Sequence, residues 1–244
     1  MSAPAKAVSV VLPAFNESGN LRPLVEEIDA ALAGRDYEIV VVDDGSTDDT
    51  RARLLAMKAD HPALRVIAHR INAGQSRAVR TGILAANGTV IATLDSDGQN
   101  DPADLPAMLD QLTRADAPDT LAMVGGRRVK RRDTVAKRAA SRFGNGVRKR
   151  LLRDEADDTG CGIKVFRRDA FLQLPYFDHI HRYLPALMLR EGYSCEYRDV
   201  NHRERGAGTS KYTNLGRAAV SVADLRGVRW LLSRARSPGG WDEV

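Results

Sequence analysis

Cysteine is scarce: the 244 residues contain two, Cys161 and Cys195. Their separation fits no metal-ligand pair, and two thiols do not make the framework of a small cross-linked secreted domain. No apolar run approaches the ~20 residues that a helix needs to cross a bilayer. The opening residues, MSAPAKAVSVVLPAFNE, lack the layout of a secretory leader, because their short apolar run passes straight into polar residues. Internal repeats and low-complexity tracts are also missing. The expectation is a cytoplasmic globular protein. Its length allows one large α/β domain, or one domain with an appendage.

The formal charge of +5 conceals an asymmetry. Residues 127–153 hold 12 Lys/Arg against one acid, Asp133, and residues 201–236 hold 8 against Glu204 and Asp224. Those segments carry +11 and +6, which leaves −12 for the rest of the chain. A uniformly basic protein would point to nucleic acid. An acidic body with two basic segments points instead to a phosphate-bearing ligand or an anionic membrane surface, and no nucleic-acid partner is expected.

Along the first half, strand-like and helix-like runs alternate. Buried strands are expected at 8–12, 37–42, 64–68, 90–94 and 121–124, with helices at 21–32, 48–60, 75–86 and 105–112 between them. Ser18 and Gly34 would start and stop the first helix. Such alternation implies parallel strands with crossover helices, a doubly wound sheet whose ligands bind beyond the carboxyl ends of the strands. The second half is less regular. A basic helix is expected at 134–152, strands at 163–166 and 195–201, and a helix at 184–189. Residues 213–236 show amphipathic spacing, with Leu215, Ala219, Val222, Leu225 and Leu232 apolar and Arg217, Arg226, Arg229 and Arg234 interleaved. The tail from Ser237 is expected to fray.

Three expected strands end in acids. The first runs into Phe15-Asn16-Glu17, the second into Asp43-Asp44, the fourth into TLDSDGQNDP, residues 93–102. In extended backbone Asp95, Asp97 and Gln99 project to one side, three oxygen donors suited to a hard divalent cation. A polar loop in which an Asp caps a helix opened by Pro102 is the plainer alternative. Three acidic clusters on one rim beside a phosphate ligand make electrostatic sense with a cation between them, which favours the metal.

Five stretches occur in order: VVLPAFNE, EIVVVDDGSTDDT, TLDSDGQ, DTGCGIKVFRR and RGAGTSKY. Together they resemble the family 2 glycosyltransferases of GT-A fold, most closely the branch typified by dolichol-phosphate mannosyltransferase, which makes polyprenyl-phosphate sugars. The resemblance implies a Rossmann-like, mostly parallel sheet flanked by helices over residues 1–212. Residues 213–244 would then form C-terminal amphipathic helices without a transmembrane segment.

What the resemblance implies for single residues is chemically coherent. Pro13, Phe15 and Glu17, with Val42 and Asp44, would hold the nucleotide's base and ribose. Without the family, Pro13 reads as a strand terminator, Phe15 as core and Asp44 as a helix cap. Asp95-Ser96-Asp97 takes the place of the family's D-x-D motif. Asp97 and Gln99 would bind Mg2+ or Mn2+ bridging the donor's pyrophosphate, and Asp95 would hold the ribose or support the metal. On the acceptor side, Arg127, Arg131, Arg138 and Ser141 would bind a lipid phosphate, as arginine forks are shaped to do. A solvated helix face is the alternative, and it is the preferred reading for residues 149–153. Arg205 and Lys211 match a family R-x-x-G-x-S-K loop that would close over phosphate. Asp158 aligns with a family Asp, with Cys161 where Ser is usual, so it would orient the acceptor cations or act as a base.

The expected activity is inverting, metal-dependent transfer of a sugar from GDP-mannose or a UDP-sugar to a polyprenyl phosphate. The enzyme would lie peripherally on the inner leaflet of the membrane through its Arg-rich C-terminal helix. A saccharide hydroxyl as acceptor is the alternative within the fold. A phosphorylated receiver-type module is the alternative outside it, and it leaves TLDSDGQ and RGAGTSKY unexplained.

Overall fold

The computed structural model describes residues 7–129, 146, 148–154, 156, 158–203 and 214–236, with side chains of the last segment described from Ser221 onward. Seven strands form one sheet: β1 (Val8–Ala14), β2 (Tyr37–Asp43), β3 (Leu64–Ala68), β4 (Val90–Thr93), β5 (Leu121–Arg128), β6 (Lys164–Arg167) and β7 (Ser194–Val200). Their order is β3-β2-β1-β4-β6-β5-β7. Every pairing is parallel except those of β6, which runs antiparallel to both β4 and β5. The doubly wound, mostly parallel sheet expected from the alternation is therefore present. β1 lies between β2 and β4, so the chain switches direction across the sheet there, the place where such folds open a crevice.

Among the described residues the helices include α1 (Leu21–Ala31), α2 (Thr50–Met57), α3 (Gln75–Ala85), α4 (Leu105–Thr113), α5 (Arg168–Leu172), α6 (Leu184–Arg190) and α7 (Asn214–Ser233). Strand alternation divides the core. Val10, Leu12, Ile39 and Val41 pack with α1 and α4 on one face, while Val11, Val40 and Val42 pack with α3 and α6 on the other. α3 lies close to the sheet, because a Cβ on Gly82 would collide with Val11.

Some local expectations need correction. Asn20, not Ser18, precedes α1, and its side chain donates to Glu17 rather than capping the helix. Gly34 ends that segment as expected, at φ +79°. α2 is shorter than 48–60, since Asp48 accepts from the Thr50 N–H and turns the chain into the helix there. β5 continues four residues beyond 124, carrying Gly125, Gly126, Arg127 and Arg128 into the sheet. In α7, Val228 is the buried anchor and Leu225, Leu231 and Leu232 pack on the core, whereas Val222 from the expected apolar stripe is 49% exposed. The expected helix over 134–152 falls largely outside the described residues.

Candidate active site

The site is built where β1, β2 and β4 end. Pro13 and Val42 are cross-strand partners, as are Ala14 and Asp43, so the two acidic turns emerge side by side. Asn16 takes a left-handed turn (φ 55°), and its side-chain oxygen accepts from the Thr47 and Asp48 N–H groups at 2.8 and 3.3 Å. Glu17 donates its N–H to Thr50 Oγ1 at 3.0 Å. These bonds fasten the turn bearing Phe15 and Glu17 onto the loop after β2.

Asp43 and Asp44 divide the work of holding that loop. Asp43 accepts from Ser46 N–H and from Arg51 Nε. Burial raises the Asp43 pKa, but the bonds from Ser46 and Arg51 outweigh it and leave the pKa lowered. The buried Asp44 carboxylate accepts from Asn72 Nδ2, from the N–H groups of Ala73 and Gly74 at 2.9 and 2.8 Å, and lies 2.6 Å from His69 Nδ1. It does not cap a helix. It shapes the chain entering α3, a role that sequence reading did not anticipate beside the expected contact to a base.

At the end of β4, the buried Ser96 hydroxyl donates to the Pro13 carbonyl at 2.8 Å, tying the D-x-D turn to β1. Asp97 Oδ1 accepts from Gln99 N–H at 3.1 Å, which folds the turn back on itself. Asp95 accepts from Gln75 Nε2 at 2.7 Å, at the start of α3, and its N–H donates to Asn100 Oδ1. Burial and the Asp97 charge push the Asp95 carboxyl above its usual range, against the pull of Lys164 and Arg128. Gly162 is required here: a Cβ would strike the Asp95 carboxylate and Asn100. The helix-capping Asp of this stretch is Asp101, which accepts from Ala103 N–H. The capping residue is thus distinct from the three residues expected to bind a metal.

Alternation along β5 separates its two arginines. Arg127 is exposed and pairs with Asp199 on β7 at 2.5 Å. Arg128 turns inward and grips Asp158 through Nε and Nη2 at 2.6 and 2.7 Å. Asp158 is thereby bound to a cation that the sequence did not single out. Lys164 on β6 is buried beside this pair and donates to the Cys161 carbonyl. Burial lowers its pKa, opposed by Cys161, Asp95 and Asp158. On the α3 side, His181 Nδ1 and Ser76 Oγ lie 2.7 Å apart. Burial and neighbouring cations push His181 well below its usual pKa, which favours the neutral ring.

Arg128, Lys164, Gln75 and Gly162, which surround Asp95 and Asp158, and the neighbouring Ser76–His181 pair were not singled out from sequence. The parity of β5 carried a signal for Arg128, because positions 126 and 128 share a face and 127 does not. Lys164 lies within the quoted stretch DTGCGIKVFRR, but no role attached to it there, and nothing local marked His181. Arg131, Arg138, Ser141, Arg205 and Lys211 lie outside the described residues.

Among the described residues, no three His, Cys, Asp or Glu side chains form a metal cage by themselves. Asp95, Asp97 and Gln99 offer two carboxylates and an amide on one loop. Such an oxygen set fits Mg2+ or Mn2+, which typically take one or two carboxylates and complete their shell with substrate phosphates.

The comparisons with known proteins agree with this geometry. The family described as "Glycosyl transferase family 2" matches residues 9–174. The dodecaprenyl-phosphate galacturonate synthase of Rhizobium johnstonii is 33% identical over 238 residues, 95% of this chain and 69% of that protein. The undecaprenyl-phosphate 4-deoxy-4-formamido-L-arabinose transferase of Klebsiella pneumoniae is 34% identical over 214 residues, 86% of this chain and 64% of that one. The chain thus spans about two thirds of such relatives. Among solved structures, glucosyl-3-phosphoglycerate synthase from Mycobacterium tuberculosis, in complex with Mn2+, UDP-glucose and phosphoglyceric acid, superposes with TM-score 0.68 at 18% identity. That superposition covers 96% of this chain and 82% of the other, a likeness of fold. With the family matched over most of its sheet and the GT-A architecture in place, the chain belongs to glycosyl transferase family 2.

Proposed function

We propose that the protein transfers a sugar from a nucleoside-diphosphate sugar to a polyprenyl phosphate, with inversion, to give a β-linked polyprenyl-phosphate sugar. The observation that carries this reading is the Arg128–Asp158 pair. Asp158 is the carboxylate that would serve as base on the acceptor side, and it is held by an arginine fork. A saccharide hydroxyl needs a base to remove its proton. A phosphomonoester already carries roughly −1.5 to −2 charge at neutral pH and needs cations. The names of the two relatives, both concerned with polyprenyl phosphates, support the same acceptor class.

In the donor half, Pro13, Phe15, Glu17, Val42 and Asp44 would cradle the base and ribose. Asp97 and Gln99, supported by Asp95, would hold Mg2+ or Mn2+. The cation would supply charge stabilisation for the departing diphosphate. Arg127, Arg131, Arg138 and Ser141 would recognise the acceptor phosphate, and Arg205 and Lys211 would close over it. The donor is GDP-mannose or a UDP-sugar.

The division at residue 212 and attachment to the inner membrane face belong to the same proposal. No helix among the described residues is long and apolar enough to cross a membrane. α7 presents Arg226 and Arg229 outward with Trp230, 62% exposed, while its Asp224 turns inward to His179 at 2.9 Å. A basic-aromatic face of this kind suits an anionic interface. The test combines turnover with product analysis. An α-linked donor should yield a β-linked lipid product, EDTA should abolish turnover, and a water-soluble saccharide should not accept. Activity on the saccharide alone would move the reading to the hydroxyl acceptor.

A further inference from the structure

Lys164 has no place in the roles described so far, yet its surroundings are specific. It occupies the middle of the sheet, opposite Thr93 on β4 and Gly125 on β5, with only 5% of its surface exposed. Its neighbours Val165 and Phe166 are the apolar residues that such a position ordinarily holds. An ammonium has three donors. Among the described residues the Cys161 carbonyl is its one hydrogen-bond partner. Asp95, Asp158 and Arg128 lie close enough to act on its charge. Enclosing an ammonium with so few partners is costly, and a well-packed apolar residue would serve stability as well or better.

Charge balance gives the lysine a task. Of the two cations that act on Asp95 among the described residues, Arg128 is engaged by Asp158 through two bonds, which leaves Lys164 beneath the Asp95–Asp97 turn. A divalent cation and a nucleoside diphosphate bring opposite charges to that turn. A buried positive charge disfavours the first and favours the second.

We propose that Lys164 is a positioning residue whose ammonium acts as a built-in countercharge beneath the D-x-D turn, weakening the bare metal ion and strengthening the diphosphate. The two ligands are thereby loaded as a complex rather than the cation alone. This rests on the donor-site reading given above.

The test uses Lys164→Met, similar in length and uncharged, and Lys164→Arg, which keeps the charge. Mn2+ binding to the free protein is followed by electron paramagnetic resonance, and GDP and UDP binding in EDTA by calorimetry. Lys164→Met should bind Mn2+ more tightly and the nucleotide that wild type prefers more weakly. Each shift should be at least tenfold, because one unit charge facing a doubly charged ligand across roughly 12 Å at an effective dielectric of about 20 is worth about a hundredfold before solvent screening. Lys164→Arg should restore both. A merely structural lysine would not move the two ligands in opposite directions. Parallel weakening of both, or no change in either, overturns the proposal, and thermal melting identifies a variant that has lost its fold. Should wild type bind neither nucleotide, the donor reading fails separately. The Mn2+ arm then decides alone: unchanged or weaker Mn2+ binding in Lys164→Met overturns the role of Lys164.

Discussion

Arg128 and Asp158 are joined by two hydrogen bonds of 2.6 and 2.7 Å, with side chains only 16% and 9% exposed. A pair so enclosed cannot lose one member cheaply. Asp158→Ala should cost about 3 kcal/mol in urea unfolding, because it strands the guanidinium, and Arg128→Met with Asp158→Leu should recover much of the loss. Equal stability of Asp158→Ala and wild type would show that the pair is solvated.

Gly162 lies against Asp95 and Asn100 so closely that a side chain has no room. Gly162→Ala should leave the far end of the sheet intact but displace the Asp95 carboxylate. Turnover should fall by at least tenfold while thermal stability drops by about 1–3 kcal/mol, the usual range for forced overpacking. Full activity in this variant would mean that Asp95 is free to move without consequence.

At the opposite end of the sheet, buried Glu38 accepts from Ser9 Oγ, the Asn87 N–H and Arg65. Burial raises its pKa, and these three donors more than reverse that, leaving it below the ordinary 4.5. Glu38 therefore contributes stability that is fully present above pH 4.5 and lost as the pH falls through its folded value. Stability measured from pH 7 to pH 3 should decline below about pH 4.5, and Glu38→Gln should flatten that part of the curve. An unchanged slope in the variant would assign acid sensitivity elsewhere.

Burial pushes the Cys195 thiol up to about 12 and raises Cys161 as well. Both shifts disfavour the thiolate, so both thiols should label slowly with iodoacetamide in native protein and faster in urea. Native-state labelling of Cys161 as fast as in urea would contradict its burial.

Much of the fold was legible because parallel strands buried on both faces read as continuous β-branched runs, as in Ile39–Val42, broken by helical spacing. The acidic strand ends were legible too, since Asp43, Asp95 and Asp97 follow those runs directly. The direction of β6 was not, because its short apolar run gives no sign of which neighbour it pairs with. Lys164 and His181 escaped notice for a related reason. Cys161 is a local partner of Lys164, but Asp95 is brought to Lys164 by the sheet order and Ser76 to His181 by α3, not by any spacing in the chain. α7 was misread at Val222 because a helix with arginine on several faces has no single apolar stripe, and Val228 settles inward instead.

The most direct test of the central claim is transfer of labelled sugar into lipid. The protein would be incubated with Mg2+ or Mn2+ and a panel of labelled GDP- and UDP-sugars, with and without polyprenyl phosphate, then extracted into organic solvent. Label should enter the organic phase with one donor, only when polyprenyl phosphate is present, and Asp97→Asn should abolish it. Label released into water at the same rate whether or not the lipid is added, with none in the organic phase, would contradict a polyprenyl phosphate acceptor.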